Sequence, residues 1–215
     1  MNNTVSFIGL GKLGLPLATI FAKNDVSVIG IDKNEKLINT LNNGEVPFYE
    51  TGLQENLKKS DKNIIYTTNY DGVLEKSDIS IILVNTQIGE TYSSEYVISA
   101  ITDLSNELKG SEKPYHLFIL SSTVLPNEIE NKFIPLIEDI TGRKVNDGFG
   151  FCYVPDIVKL GSVIKDFEYP DVMIIGKSDD YSGEITKKIY QKVPKNEPPI
   201  IEMSLTEAEV SKMAL

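Results

Sequence analysis

Near the start of the chain, Gly9-Leu10-Gly11-Lys12-Leu13-Gly14 directly follows the apolar run Val5-Ser6-Phe7-Ile8. It opens a stretch in which Leu13, Leu17, Ile20 and Phe21 recur at helical spacing. Three glycines so placed allow few folds. The first permits a sharp strand-to-helix turn, the second lets a ligand's phosphates approach the backbone, and the third lets helix and strand pack closely. The helix N-terminus then offers free N–H groups and a partial positive charge to an anion. A glycine-rich turn by itself can serve merely to turn a chain. Here the next strand, 26–31, ends at Asp32, about 20 residues past the turn, where a carboxylate accepts from ribose hydroxyls. A 2′-phosphate would meet like charge at Asp32, so the expected cofactor is NAD and not NADP; Lys33 and Lys36 soften that preference slightly.

The alternation of short apolar runs and helical stripes continues. Residues 79–84, 117–120, 149–154 and 172–176 read as strands. Val97, Ile98, Ile101, Leu104 and Leu108 mark one face of a helix. Pro126 is expected to open the next helix, with Ile129, Phe133 and Ile137 as its apolar face, and Pro135 to bend or shorten it. This pattern predicts an α/β fold of Rossmann type, a doubly wound and mostly parallel sheet, over residues 1–200. Lys195-Asn196-Glu197-Pro198-Pro199 is a linker-like break. Ser204 with Glu207 three residues on is a capping box, so 203–215 reads as the start of an interdomain helix still running at Leu215.

A chain with 41% hydrophobic and 24% charged residues is an ordinary globular protein. Its net charge of −10 argues against nucleic acid or an anionic membrane as partner, since both require Lys/Arg neutralisation. No apolar run approaches the ~20 residues of a membrane span, and the N-terminus lacks a signal peptide's pattern, which favours the cytoplasm. Cys152, the one cysteine, excludes an internal disulfide, and no metal site is assigned. Cys152 sits in a predicted strand and reads as a core residue; His116, the one histidine, starts a strand and is expected to be structural.

Several further stretches carry a family likeness: Gly9 to Pro16, Tyr49-Glu50-Thr51-Gly52-Leu53, Val84-Asn85-Thr86-Gln87, Ser122-Thr123-Val124, Val154-Pro155-Asp156 followed by Gly161, and Thr206 to Lys212. In this order the chain resembles the N-terminal portion of the UDP-glucose/GDP-mannose dehydrogenase family. The resemblance implies two successive NAD-dependent oxidations at C6 of a UDP- or GDP-linked sugar, with a covalent cysteine supplied by the family's later half. It implies that Gly9, Gly11, Lys12, Leu13, Gly14, Asp32, Lys33, Thr86, Ser122 and Thr123 hold the cofactor. It assigns Asp156 to acid/base work, Thr123 to positioning nicotinamide and a water, and Lys212 to the oxyanion. A homodimer through the linking helix, and inactivity of these 215 residues without the later half, are also expected.

Departures accompany the likeness. Asp156 stands where the family has a longer glutamate, and Leu160 replaces a second glutamate and is expected to sit against apolar neighbours. Asn85 and Gln87 replace two prolines and are expected to loosen their turn. Two other readings stay open: a β-hydroxyacid-type dehydrogenase domain, and a non-catalytic module that senses a nucleotide.

Overall fold

The computed structural model describes residues 4–214. The chain begins β1 (Thr4–Ile8), α1 (Gly14–Lys23), β2 (Ser27–Ile31), α2 (Glu35–Asn42), α3 (Leu53–Ser60), β3 (Ile64–Thr67), α4 (Val73–Lys76) and β4 (Ile79–Ile82). A small hairpin, β5 (Gln87–Ile88) and β6 (Thr91–Tyr92), precedes α5 (Glu95–Gly110) and β7 (His116–Leu120). A π-helical turn (Ile129–Phe133) leads into α6 (Ile134–Thr141), β8 (Lys144–Val145) and β9 (Gly148–Tyr153). The chain ends with α7 (Val163–Glu168), β10 (Met173–Lys177), α8 (Asp180–Tyr190), β11 (Ile200–Ser204) and α9 (Leu205–Ala214).

The main sheet runs β11-β10-β9-β7-β4-β1-β2-β3, with β8 beside β9. Its strands pair in parallel except β9 with β10. Because successive side chains point to opposite faces, each central strand feeds two cores. In β7, Leu117 and Ile119 join the core under α1, α2, α3, α7 and α8, whereas Phe118 and Leu120 join the one under α4, α5, α6 and α9. The doubly wound architecture follows from that alternation. With β2 and β3 on one side of β1 and β4, β7 and β9 on the other, winding reverses between β1 and β4. Ligands of open α/β sheets bind in the crevice above such a reversal.

Within the second core, Ser6 Oγ lies 2.7 Å from Ser80 Oγ, which lies 2.8 Å from His116 Nε2. Burial drives the His116 pKa down to about 3, so the imidazole stays neutral inside the sheet, as expected of a structural histidine. Cys152 is likewise fully buried, and burial pushes its thiol up to about 12.

The structure differs from the sequence reading at specific places. The helix expected from Pro126 begins two residues later, because Asn127 takes φ +67° in a turn. Pro135 lacks the N–H an α-helix needs, and the chain absorbs it in the preceding π turn, where Ile134 N bonds the Ile129 carbonyl. Strand β3 and the hairpin were not foreseen. Nor was β11, which pairs with β10 from Met173↔Ile200 to Lys177↔Ser204 and fills the gap between the 195–199 break and the capping box. The box itself forms: Glu207 Oε2 accepts from Ser204 N at 2.8 Å, and Glu207 N donates to Ser204 Oγ at 3.3 Å.

Candidate functional site

The glycine turn joins β1 to α1. Gly9 takes φ +95°, and a Cβ there would lie 2.4 Å from the Leu83 carbonyl oxygen, so glycine alone fits. A Cβ on Gly14 would lie 2.0 Å from the Gly9 carbonyl oxygen, a measure of how tightly α1 rests on the turn. At Gly11 a Cβ would meet nothing within 4 Å, since that backbone borders an open cleft. Leu13 occupies the N-cap of α1 and no side chain bonds there; Leu15 N already donates to the Gly11 carbonyl at 3.1 Å and Pro16 has no N–H, so an anion would be met by the N–H groups of the turn that leads into the helix.

Asp32 is fixed beside this turn. Its Oδ2 accepts from Leu10 N and its Oδ1 from Asn34 N, both at 2.9 Å. Lys33 donates to Ser99 Oγ and pairs with Asp103, both at 2.8 Å, so its charge is directed to α5. Gly9, Gly11, Asp32 and Lys33 line a hollow of about 530 Å³. Gly11, Leu83, Val84 and Asn85 also border the adjoining cleft of about 710 Å³, which Lys12, Leu13, Thr86, Ser122, Thr123 and Asp156 line in turn. Gly14 lies beneath, in the packing of α1. Among the other glycine-turn and strand-end residues, Ser122 Oγ donates to the Val84 carbonyl at 2.7 Å and ties the ends of β7 and β4 together. The 85–87 turn is not loosened: Asn85 Nδ2 donates to the Gln87 carbonyl at 2.6 Å and Gln87 N to Asn85 Oδ1 at 3.2 Å. An Asx turn replaces proline's rigidity.

Asp156 and Lys212 meet at the far wall. Lys212 Nζ donates to the Asp156 carbonyl oxygen and lies 3.7 Å from its Oδ1. Burial raises the Asp156 carboxyl above the ordinary range, with Lys212 opposing the rise. Lys212 therefore reaches Asp156 from outside the cleft that Thr123 and Asp156 share. Leu160 does not sit against apolar neighbours; it is 67% exposed at the cleft's rim, because the loop turns outward through Gly161 at φ +93°. The loop's other end is anchored by Glu50, whose Oε2 accepts from Gly161 N at 3.1 Å.

Two carboxylates escaped the sequence reading. Glu209 is fully buried and accepts from Asn127 N at 2.7 Å and Ile129 N at 3.0 Å, so it caps the π turn. It belongs to the same Thr206–Lys212 stretch that was read for its lysine, and that stretch was the signal available. Glu128 accepts from Tyr92, 36 residues away, and no local pattern announces the pair.

A glycine turn at the start of α1, with Gly11 open to the cleft, and a carboxylate held at the end of β2 suit the diphosphate and ribose of a dinucleotide. The fold and this site together define a Rossmann-type dinucleotide-binding domain. The profile described as "UDP-glucose/GDP-mannose dehydrogenase family, NAD binding domain" matches residues 3–194, and the chain belongs to that family, with NAD as the cofactor of this domain. Over 212 residues the chain is 30% identical to GDP-mannose 6-dehydrogenase of Pseudomonas savastanoi pv. phaseolicola, covering 97% of the chain and 48% of that protein. It is 28% identical over 215 residues to UDP-glucose 6-dehydrogenase of Haloferax volcanii, covering 98% and 50%. The crystal structure of a ternary complex of GDP-mannose dehydrogenase from Pseudomonas aeruginosa superposes with a TM-score of 0.92 at 28% identity, over 100% of this chain and 49% of that one. The chain spans about half the length of these relatives. These matches favour the nucleotide-sugar dehydrogenase reading over the β-hydroxyacid-type and sensing readings. Among the described residues no helix is long and apolar enough to cross a membrane.

Proposed function

We propose that this domain serves, within a longer protein, the NAD-dependent oxidation of the C6 alcohol of a UDP- or GDP-linked sugar to the carboxylate. The observation that carries the reading is continuity: the Asp32 hollow opens into the cleft lined by Thr123 and Asp156. Bound NAD supplies the hydride acceptor. Asp32 accepts from the adenosine ribose; the turn at Gly9, Gly11, Lys12, Leu13 and Gly14 receives the diphosphate; Lys33 flanks the adenosine end; and Thr86, Ser122 and Thr123 face the nicotinamide end. Asp156, whose carboxyl burial raises above the ordinary range, holds or releases a proton at its carboxyl oxygen. Lys212 sets the position of Asp156 through its bond to that residue's carbonyl oxygen, and the oxyanion role that the family likeness assigns to it would need its ammonium to swing from that bond into the cleft. Cys152, buried with a raised pKa, is not the thiol for the second oxidation. Pairing of the whole protein through the helix begun by α9, where Val210 and Met213 are exposed, and a cytoplasmic location belong to the same proposal.

Two measurements test it. Asp32→Ala is expected to weaken NAD binding by roughly 1–3 kcal/mol, the worth of hydrogen bonds to a charged acceptor. Calorimetry that finds NAD and NADP bound equally by the unsubstituted chain would sink the cofactor assignment at Asp32. In a full-length protein carrying this domain, Asp156→Asn is expected to lower kcat by roughly 10²–10⁴ with the Kd for NAD unchanged. Undiminished turnover of UDP- and GDP-sugars in that variant would reduce Asp156 to a turn residue.

A further inference from the structure

The β5–β6 hairpin forms a wall of the cleft: Thr86, Gln87, Glu90 and Tyr92 all line it. Two residue pairs joined by a tight loop are not stable in water by themselves, so the hairpin's position must be set from outside. Behind it stands Glu128. Its carboxylate accepts from Tyr92 Oη, from Ser94 Oγ at 3.1 Å, from Leu125 N at 3.1 Å and from Lys132 Nζ at 3.2 Å. Burial by itself would raise the Glu128 pKa, yet the donors from Tyr92, Leu125, Lys132 and Ser94 together hold it below the ordinary carboxylate value. Its backbone is fixed as well, since Glu209 of α9 caps the N–H groups on both sides of it, at Asn127 and Ile129.

We propose that Glu128 is a positioning residue for the nicotinamide end of the cleft, holding the hairpin through Tyr92 against the loop that carries Ser122 and Thr123. The two walls then keep one spacing whether or not a ligand is present, which is the preorganisation that cofactor and substrate orientation require. The anchored backbone extends the connection: Glu209 lies one turn from Lys212 on α9, so the helix that meets Asp156 also fixes the segment bearing Glu128. The proposal rests on the NAD reading given above.

The test separates the two ends of the cofactor. NADH and ADP-ribose binding to this chain is measured by calorimetry for the unsubstituted protein, Glu128→Ala, Glu128→Gln and Tyr92→Phe. Glu128→Ala and Tyr92→Phe are expected to weaken NADH roughly tenfold, as loss of a charge-assisted hydrogen bond would, while ADP-ribose, lacking nicotinamide, binds as before. Glu128→Gln, which keeps an acceptor for Tyr92, recovers most of the loss. Equal weakening of both ligands, or undiminished NADH binding, overturns the positioning role. Should Glu128→Ala fail to fold, Tyr92→Phe decides, because it removes one hydroxyl and no volume of consequence. An unsubstituted chain that binds ADP-ribose and NADH equally poorly would overturn the NAD reading itself, and this proposal with it.

Discussion

Gly14→Ala is expected to cost the domain at least ~3 kcal/mol, whereas Gly11→Ala leaves folding intact and removes NAD binding. The two glycines are three residues apart in one turn, and the contrast is set by what an added methyl meets. At Gly14 the new carbon would lie 2.0 Å from the Gly9 carbonyl oxygen and 3.5 Å from the Leu83 Cβ. The near neighbour is backbone, which cannot swing aside as the end of a side chain would. Relief would require α1 to lift off the sheet, yet Leu15, Leu17, Ile20 and Phe21 bury that helix completely. Overpacking of this kind sits at the upper end of point-mutant effects and is a large share of a typical domain stability of ~5–15 kcal/mol. At Gly11 the methyl enters empty cleft, and no positive φ requires glycine. Its effect on stability should stay within ~0.5 kcal/mol, as for surface substitutions generally. The methyl would occupy the approach to the backbone that the diphosphate needs. Thermal unfolding and NAD calorimetry on the same two variants read both effects. A Gly11→Ala protein with unchanged NAD affinity would mean that the diphosphate passes elsewhere.

The turn, both flanking strands and Asp32 were legible in the sequence because each is written locally. Val5, Phe7 and Ile8 are apolar in a strand buried on both faces, and the three glycines answer steric demands within a few residues of chain. Strand β11 was hidden for the opposite reason. It is a sheet edge, Ile201 is 47% exposed, and Glu202 interrupts the apolar run in order to pair with Lys177 at 2.8 Å and Lys187 at 3.1 Å. Edge strands carry half the hydrophobic signal of buried parallel strands. β3, another edge with Ile65 exposed, was missed in the same way. Leu160 is exposed although apolar, because residue type alone does not fix surroundings and single exposed leucines are ordinary on protein surfaces. The polar partnerships around the site join residues tens to more than a hundred positions apart, so periodicity and motif spacing had no access to them. Glu50 with Gly161 and Lys23 with Glu168 are separated by 111 and 145 residues.

The second of these pairs carries the other large expected effect. Glu168, at the end of α7, accepts from Lys23 of α1 and from Lys195 at 2.6 Å, while Lys23 also donates to Asn56 of α3 at 2.9 Å. One carboxylate thus ties α1, α3, α7 and the segment before β11, and α7 directly follows the loop that bears Asp156 and Leu160. The side chains of Lys23 and Glu168 are only 13% and 8% exposed, so Glu168→Ala would leave a mostly covered ammonium with Asn56 as its remaining partner. Removing one partner of a buried pair typically costs ~3–5 kcal/mol, chiefly from the charge left behind. Lys195 is 52% exposed, and Lys195→Ala should therefore cost no more than ~1 kcal/mol. The pH dependence has a definite sign. Burial by itself would raise the Glu168 pKa, but the bonds from Lys195 and Lys23 hold it below its ordinary value. A carboxyl depressed in the folded state contributes fully above its unfolded pKa, and the contribution is lost as pH falls through the folded value. The stability gap between the unsubstituted chain and Glu168→Gln, read from urea unfolding, is accordingly expected to be constant at neutral pH. It should narrow once the pH drops below about 4.3, the ordinary glutamate value. A gap that widens on acidification, or a Glu168→Ala protein as stable as its parent, would show that the network does not hold α7 in place.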